Sequence, residues 1–356
     1  MLKLEYRDYT LDFKFEAGTS RGILKDHPIV LLKIYDADHP EVFGLGEAAP
    51  LRNLSPEKVE DVRESLATLG SKLKSMSMPD SEEEVFGLVS RLVAPDLPSL
   101  KMALETAFLD LINGGRRLIF NNDFYRGKSA IAINGLIWMG AGEAMREQIA
   151  DKLSAGFKCI KMKIGAIDFD QELSLLRLLR AHDPDLIIRV DANGAFATDV
   201  VFSRLSQLEE FGIHSIEQPI MAGQHEAMQL LCKRTPIPIA LDEELIGVNE
   251  FSQKQELLKL IRPQYIILKP TLLGGFGATL EWISIADQLG IGWWLTSALE
   301  SNLSLNAIAQ FAGRFPSSGY QGLGTGQLYH NNIDSPLEVT GAFLSYNHEK
   351  EWMNVF

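Results

Sequence analysis

The sequence predicts an α/β protein: a (β/α)8-type barrel preceded by an α+β capping domain. Three observations predict it. From about residue 128, short apolar runs rich in β-branched residues alternate with helical patterns. The ends of these runs fall at a near-constant step. Lys163 to Asp191 is 28 residues, Asp191 to Glu217 is 26, Glu217 to Asp242 is 25, Asp242 to Lys269 and Lys269 to Thr296 are 27 each, and Thr296 to Gly322 is 26. One strand, one helix and two short loops fill such a step, and eight such units close as a barrel. Before residue 128 the order differs: strands come first and helices follow, as in a separate α+β unit.

The elements follow in order. Leu2-Lys3-Leu4-Glu5-Tyr6 and Leu11-Asp12-Phe13-Lys14-Phe15 alternate apolar and polar residues, as antiparallel strands with one solvated face do. A glycine-flanked loop, 18–22, separates them from a stronger strand at 29–35, and 43–50 closes the region. Ser55-Pro56-Glu57-Lys58 reads as a helix start, with an N-cap and then proline at the first helical position. A second helix is expected over 81–93. Pro98-Ser99 opens a third, whose Leu104, Phe108, Leu111 and Ile112 share one face and which Gly114-Gly115 ends. This assigns 1–125 to the capping domain. The barrel, 126–324, has strand candidates at 130–137, 159–164, 186–191, 213–217, 237–242, 265–269, 292–297 and 319–323. An open doubly wound sheet is the rival, but its glycine-rich phosphate loop is missing after Asn134-Gly135-Leu136. The segment 325–356, with Phe343, Tyr346, Trp352 and Phe356, is expected to return to the capping domain.

Composition narrows the function. A chain of 356 residues suits a large barrel plus an accessory domain. Hydrophobic residues are 46% and charged residues 23%, the balance of a globular protein, and no apolar run approaches the roughly 20 residues of a membrane span. A net charge of -13 repels phosphate backbones, so nucleic acid is not an expected partner. The charged, strand-like residues 1–7 do not read as a signal peptide. Cys159 and Cys232 are far apart and read as buried free thiols in a reducing compartment, so a cytoplasmic location is expected. Nothing in the sequence sets the oligomeric state.

Asp191, Glu217 and Asp242 end consecutive strands, and in a barrel neighbouring strand ends share one mouth. A single strand-end acid often caps the next helix. Three in a row would repel each other unless a cation resolved them, and an all-oxygen set favours Mg²⁺. Alternation puts Lys161 and Lys163 on one face and Met162 on the other. Two ammonium groups so close lower each other's pKa, which suits a general base. Lys269 ends the strand opposite. Cations on both sides of a metal suit removal of a proton α to a carboxylate, with the enediolate charge neutralised.

These residues, Lys161-Met162-Lys163, Asp191, Glu217, Asp242 and Lys269, resemble the enolase superfamily. Within it they look like the muconate-lactonizing subgroup, and the resemblance covers nearly the whole chain. It implies Mg²⁺ (with Mn²⁺ as a substitute) on Asp191, Glu217 and Asp242. It also implies Lys163 as base, Lys161 assisting, Lys269 opposite, and a small-molecule carboxylate as substrate. Thr296-Ser297-Ala298-Leu299-Glu300-Ser301-Asn302 and Gly322-Leu323-Gly324-Thr325-Gly326-Gln327-Leu328 look like the o-succinylbenzoate synthases. Dipeptide epimerases carry Asp-x-Asp where this chain has Gly322-Leu323-Gly324. The reaction implied is dehydration of 2-succinyl-6-hydroxy-2,4-cyclohexadiene-1-carboxylate to o-succinylbenzoate, in menaquinone biosynthesis. The alternative is a dipeptide epimerase or N-acylamino-acid racemase using Lys163 and Lys269 as opposed bases. An inert barrel acting as a binding module would have lost at least one of the six charged positions.

Candidate substrate contacts are Ser297, Ser301, and the amides of Gly322 and Gly324 as an anion nest. Arg21 and residues 51–54 are expected to close over the mouth. Arg21 reads equally well as a surface turn, and Ser301 as a helix N-cap. Arg189 and Asn193 flank Asp191, and Arg189 is expected to orient the carboxylates from behind.

Overall fold

The computed structural model describes residues 1–19, 22–316 and 319–356. The chain opens with an antiparallel sheet of β1 (Leu2–Thr19), β2 (Gly22–Asp36) and β3 (His39–Ala48), in the order β1-β2-β3. The two strands expected before residue 16 are one. β1 runs alongside β2 from Leu2 to Thr19 with a single irregularity between Asp12 and Ala17. The polar stretch Arg7-Asp8-Tyr9-Thr10 looked like a break. On an edge strand, polar side chains lie in water while the backbone stays paired.

Three helices follow: α1 (Val59–Leu73), α2 (Glu82–Leu92) and α3 (Pro98–Ile112). α1 starts after Lys58, not at Ser55: the Lys58 amide donates to Asp61 (2.8 Å), and the Ser55 hydroxyl accepts from the Leu51 amide (2.8 Å) instead. α3 lies directly on β3. A Cβ at Gly44 would stand 1.8 Å from the Ala107 carbonyl oxygen, and one at Gly46 2.0 Å from that of Ala103. Glycine is the residue that permits this approach.

The second layer alternates. β4 (Ile131–Ala132) and β5 (Gly135–Ile137) lead to α4 (Gly142–Ser154), β6 (Cys159–Lys163), α5 (Phe169–His182) and β7 (Ile187–Asp191). Then come α6 (Val201–Glu209), β8 (Ser215–Glu217), α7 (His225–Arg234), β9 (Ile239–Leu241) and α8 (Phe251–Ile261). β10 (Tyr265–Leu268), α9 (Pro270–Leu273), α10 (Gly275–Leu289), β11 (Gly292–Leu295) and α11 (Asn302–Ala312) complete the alternation. Seven parallel strands, β5 to β11, form one curled sheet in sequence order. Of the eighth strand expected over 319–323, only Gln321 and Gly322 pair, as isolated bridges to Ile133 and Thr296. Their backbones still join the two edges. Gln321 N donates to Ala132 O (2.8 Å) and Gly322 N to Leu295 O (2.8 Å). Gly319 and Gly322 leave this short segment few side chains to pack.

The strand expected over 130–137 is split, because its first half pairs elsewhere. β12 (Leu337–Thr340) and β13 (Phe343–Tyr346) form a hairpin whose β13 pairs with β4. Upstream of it, Tyr329 bridges Phe13, and the Tyr9 hydroxyl donates to Asn331 O (2.7 Å). The last residues also reach the first sheet, with Arg7 over the Phe356 ring at 5.5 Å. No helix among the described residues is long and apolar enough to cross a membrane.

Candidate active site

Strand register assembles the charged residues. Lys163 of β6 pairs with Asp191 of β7, and Asp191 with Glu217 of β8. Glu217 pairs with Ala240 of β9, so Asp242 lies two residues further along, on the same face. Lys269 directly follows β10. Met162 points outward into the core, while Lys161 and Lys163 both line a cavity of about 600 Å³ with Asp191, Asn193 and Lys269. Gln218 braces the turn beside these strand ends: its side-chain oxygen accepts from the amides of Asp242 (3.2 Å) and Glu244 (3.3 Å).

The side chains form a tight alternation of charge. Lys161 Nζ lies 2.6 Å from Glu217 Oε2 and 2.9 Å from Asp191 Oδ2. Lys269 is bonded to Asp242 and stands 3.8 Å from Glu217 Oε1. Lys163 donates to Asn193 Oδ1 (2.8 Å) and lies 3.6 Å from Asp191 Oδ2. The mutual lowering expected of the lysine pair holds for one member only. Burial lowers Lys163, Asp191 opposes this, and the Lys161 and Lys269 charges add to the lowering. Burial also disfavours the Lys161 charge, but Asp191, Glu217 and Asp242 outweigh it and raise that pKa. Lys269 is raised in the same way, with Asp242 and Glu217 overcoming burial. Burial and then the Asp191 carboxylate push Glu217 up to about 8.

A divalent cation fits this donor set by type and register: three carboxylates on adjacent strands, all hard oxygen donors. Glu217 Oε1 is buried and accepts no hydrogen bond, with the Lys269 ammonium 3.8 Å away, so it keeps lone pairs for a further cationic partner. Among the described residues no three acidic side chains converge on one point, because their oxygens are turned onto the lysines.

The other expected contacts divide. Ser297, Gly322 and Gly324 line the cavity, as do Leu51 and Leu54. The Gly322 amide is already committed to Leu295 O, so it does not contribute to an anion nest. A Cβ there would lie 2.5 Å from Thr296 Oγ1, so the seam admits only glycine. Ser301 is not in the cavity wall. It caps α11 by accepting from the Leu303 amide (3.1 Å), and its hydroxyl donates to the buried Glu47 (2.5 Å). Arg189 makes no hydrogen bond or ion pair with the three carboxylates. It donates to Tyr320 O (2.9 Å) and stacks on Trp294 at 3.8 Å, one layer below the mouth. Its position two residues before Asp191 gave it the right face but the wrong depth. Asn193 bridges Lys163 to Glu243, its side-chain amide donating to Oε1 (3.0 Å). Arg21 lies outside the described residues.

Several lining residues escaped the sequence reading. Phe15 and Glu16 reach in from β1, and Trp138 stands 5.9 Å from Lys163 Nζ and 5.7 Å from the Phe15 ring. Asn134 is 5% exposed, lines the cavity, and its Oδ1 has no hydrogen-bond partner. Alternation along 130–137 was the available signal, since Asn134 and Leu136 share a face and both line the cavity.

Comparison with known proteins agrees with this geometry. Residues 144–349 match the family model described as Enolase C-terminal domain-like. An o-succinylbenzoate synthase from Desulfotalea psychrophila is 45% identical over 96% of this chain and 98% of its own length. The crystal structure of MenC from the same organism superposes with a TM-score of 0.87 at 40% identity, covering 97% of this chain and 99% of that one. A dipeptide epimerase from Enterococcus faecalis complexed with Mg and a dipeptide shares the fold at 16% identity, with a TM-score of 0.82 over 97% of each chain. The chain belongs to the enolase superfamily and, within it, to the o-succinylbenzoate synthase family.

Proposed function

We propose that this protein dehydrates 2-succinyl-6-hydroxy-2,4-cyclohexadiene-1-carboxylate to o-succinylbenzoate, a step of menaquinone biosynthesis, with Mg²⁺ held by Asp191, Glu217 and Asp242. The observation that carries the reading is the placement of Lys163 and Lys269 in one cavity beside those three carboxylates. Gly322 and Gly324 stand in this wall where dipeptide epimerases carry Asp-x-Asp, which argues against a dipeptide substrate.

When bound, Mg²⁺ would neutralise the substrate carboxylate and the charge that develops on it as the α-proton leaves. Lys163 takes that proton from the ring carbon. Asn193 accepts a hydrogen bond from Lys163 and so directs the amine. The electron pair of the broken C–H bond moves into the ring, and the bond to the 6-hydroxyl breaks. The proton on Lys163 passes to the departing hydroxide, which leaves as water. Lys161, clamped between Asp191 and Glu217, stays charged beside the carboxylate. Lys269 presents a fixed ammonium from the opposite side, against the face of the ring. Ser297, Gly324 and Asn134, whose Oδ1 has no hydrogen-bond partner, supply polar groups for the succinyl tail.

The opposed lysines also suit a racemase acting on N-acylamino acids, which would use both as bases. Purified protein should convert the cyclohexadiene substrate, lose that activity in excess EDTA and regain it with Mg²⁺. Full turnover in excess EDTA would refute both enzymatic readings.

A further inference from the structure

The loop that follows β11 is held in a conformation its sequence does not favour. Leu299 has φ 67, a left-handed backbone that a branched, bulky residue rarely adopts. Its side chain lines the active cavity and is 9% exposed. Its carbonyl oxygen accepts two hydrogen bonds from outside the barrel. One comes from Nδ1 of His27 in β2 (3.1 Å), the other from the hydroxyl of Tyr329 (2.5 Å). Burial lowers His27 to about 4, so the ring is neutral at pH 7. Donation to the Leu299 carbonyl places the ring proton on Nδ1, the tautomer the inference requires. The Tyr329 ring packs 4.6 Å from Phe13 of β1, so both donors belong to the layer covering the mouth.

The residues around Leu299 are tied as well. Ser297 N donates to Gly322 O (3.1 Å), Ala298 N to Glu300 Oε2 (2.7 Å) and Ser301 N to Glu47 Oε1 (2.8 Å). A strained residue persists where its surroundings over-determine it, and such positions cluster where a side chain must be aimed. Among the described residues, the cavity wall contains one other non-glycine with positive φ, Asn193, whose side chain holds Lys163.

We propose that His27 and Tyr329 are positioning residues. By fixing the Leu299 carbonyl they hold its side chain as an apolar wall of the substrate cavity, so the β1–β2 layer and the segment before β12 set the shape the substrate must match. The inference rests on the dehydratase reading of this cavity.

A double-mutant cycle on steady-state turnover of the cyclohexadiene substrate tests it. Tyr329→Phe removes one donor and keeps the ring against Phe13. It should raise KM about fivefold, the scale of one neutral hydrogen bond, and leave kcat within about twofold. In a Leu299→Ala background the same change should alter KM by less than about 1.5-fold, because the side chain being positioned is gone. His27→Ala should reproduce the rise in KM, and His27→Asn, whose amide can donate near the Nδ1 position, should restore it. KM effects of Tyr329→Phe that are the same with and without the Leu299 side chain would overturn the proposal. So would variants that only lose thermal stability. A wild-type protein that does not turn over the substrate would instead sink the dehydratase reading, and this inference with it.

Discussion

Arginine substitutions separate the roles of the two lysines, Lys163 and Lys269, that line the cavity. Arginine keeps the positive charge but cannot deprotonate in a protein, so it can replace an electrostatic cation and not a base. Lys163 is the base in the proposed dehydration, directed by Asn193 at 2.8 Å. A general base contributes about 10²- to 10⁴-fold, or about 3–5 kcal/mol, so Lys163→Arg should lower kcat by that factor. Lys269 is bonded to Asp242 and 3.8 Å from Glu217 Oε1, and those carboxylates raise its pKa despite burial. In the proposed dehydration its role is a fixed cation. Lys269→Met should cost about 10²- to 10³-fold in kcat, the scale of removing one preorganised group. Lys269→Arg should recover most of that loss, ending within about tenfold of the wild type. The assay is o-succinylbenzoate formation at saturating Mg²⁺, with circular dichroism to confirm that each variant is folded. Equal inactivation by Lys163→Arg and Lys269→Arg would refute the reasoning, since it would mean that both lysines must lose a proton.

Three further outcomes follow from the structure. Glu105 is buried and accepts from the Phe276 amide (2.5 Å) and the Gly277 amide (3.3 Å) at the start of α10; burial pushes it up to about 8. Its folded pKa lies above its unfolded value, so its contribution to stability is full below about pH 4.5 and is lost as pH rises through about 8, at most about 5 kcal/mol. Thermal melts of Glu105→Gln should therefore decline less between pH 5 and 9 than the wild type (~4 pH units, by the same linkage); an unchanged slope would refute the assignment. Asp110 is fully buried and paired with Arg117, which also receives Gln310 and Asn306 side-chain amides at its carbonyl. Arg117→Ala should destabilise the fold by about 3–5 kcal/mol in urea titrations, because it strands a buried charge. Asn134→Ala should raise KM for the cyclohexadiene substrate about threefold to tenfold without lowering Tm, since the buried Asn134 Oδ1 has no hydrogen-bond partner to lose.

The parts of this molecule that were legible in its sequence are those written in local order. A step near 26 residues follows from the length of a strand and a helix, and each strand-end charge is set by period-two alternation within its own strand. That is why Lys161, Lys163, Asp191, Glu217, Asp242 and Lys269 were expected in one place, and the structure brings them there. What distant partners decide was not legible. Ser301 reads equally well as a cavity donor or a cap until Glu47, 254 residues away, takes its hydroxyl. Arg189 was expected to orient the carboxylates from behind, but it is held by Trp294 and the Tyr320 carbonyl instead. The eighth strand had the right position and lacked the side chains to extend beyond Gln321 and Gly322. β1 hid its continuity behind polar residues because only its partner β2 makes it a strand. Leu299 gives no local sign of its left-handed backbone, which two donors from other layers impose.

The central claim is that the lysines and carboxylates of this cavity serve dehydration, with racemisation of N-acylamino acids at most a side reaction. The most direct measurement sets the two reactions against each other in one preparation. With Mg²⁺ in D₂O, kcat/KM for o-succinylbenzoate formation is compared with kcat/KM for α-proton exchange on N-succinylamino acids. The account predicts that dehydration is the faster by at least about 10-fold and falls in the ordinary enzymatic range of about 10⁴–10⁸ M⁻¹s⁻¹. Exchange that outpaces dehydration, or no o-succinylbenzoate formed at all, would contradict it.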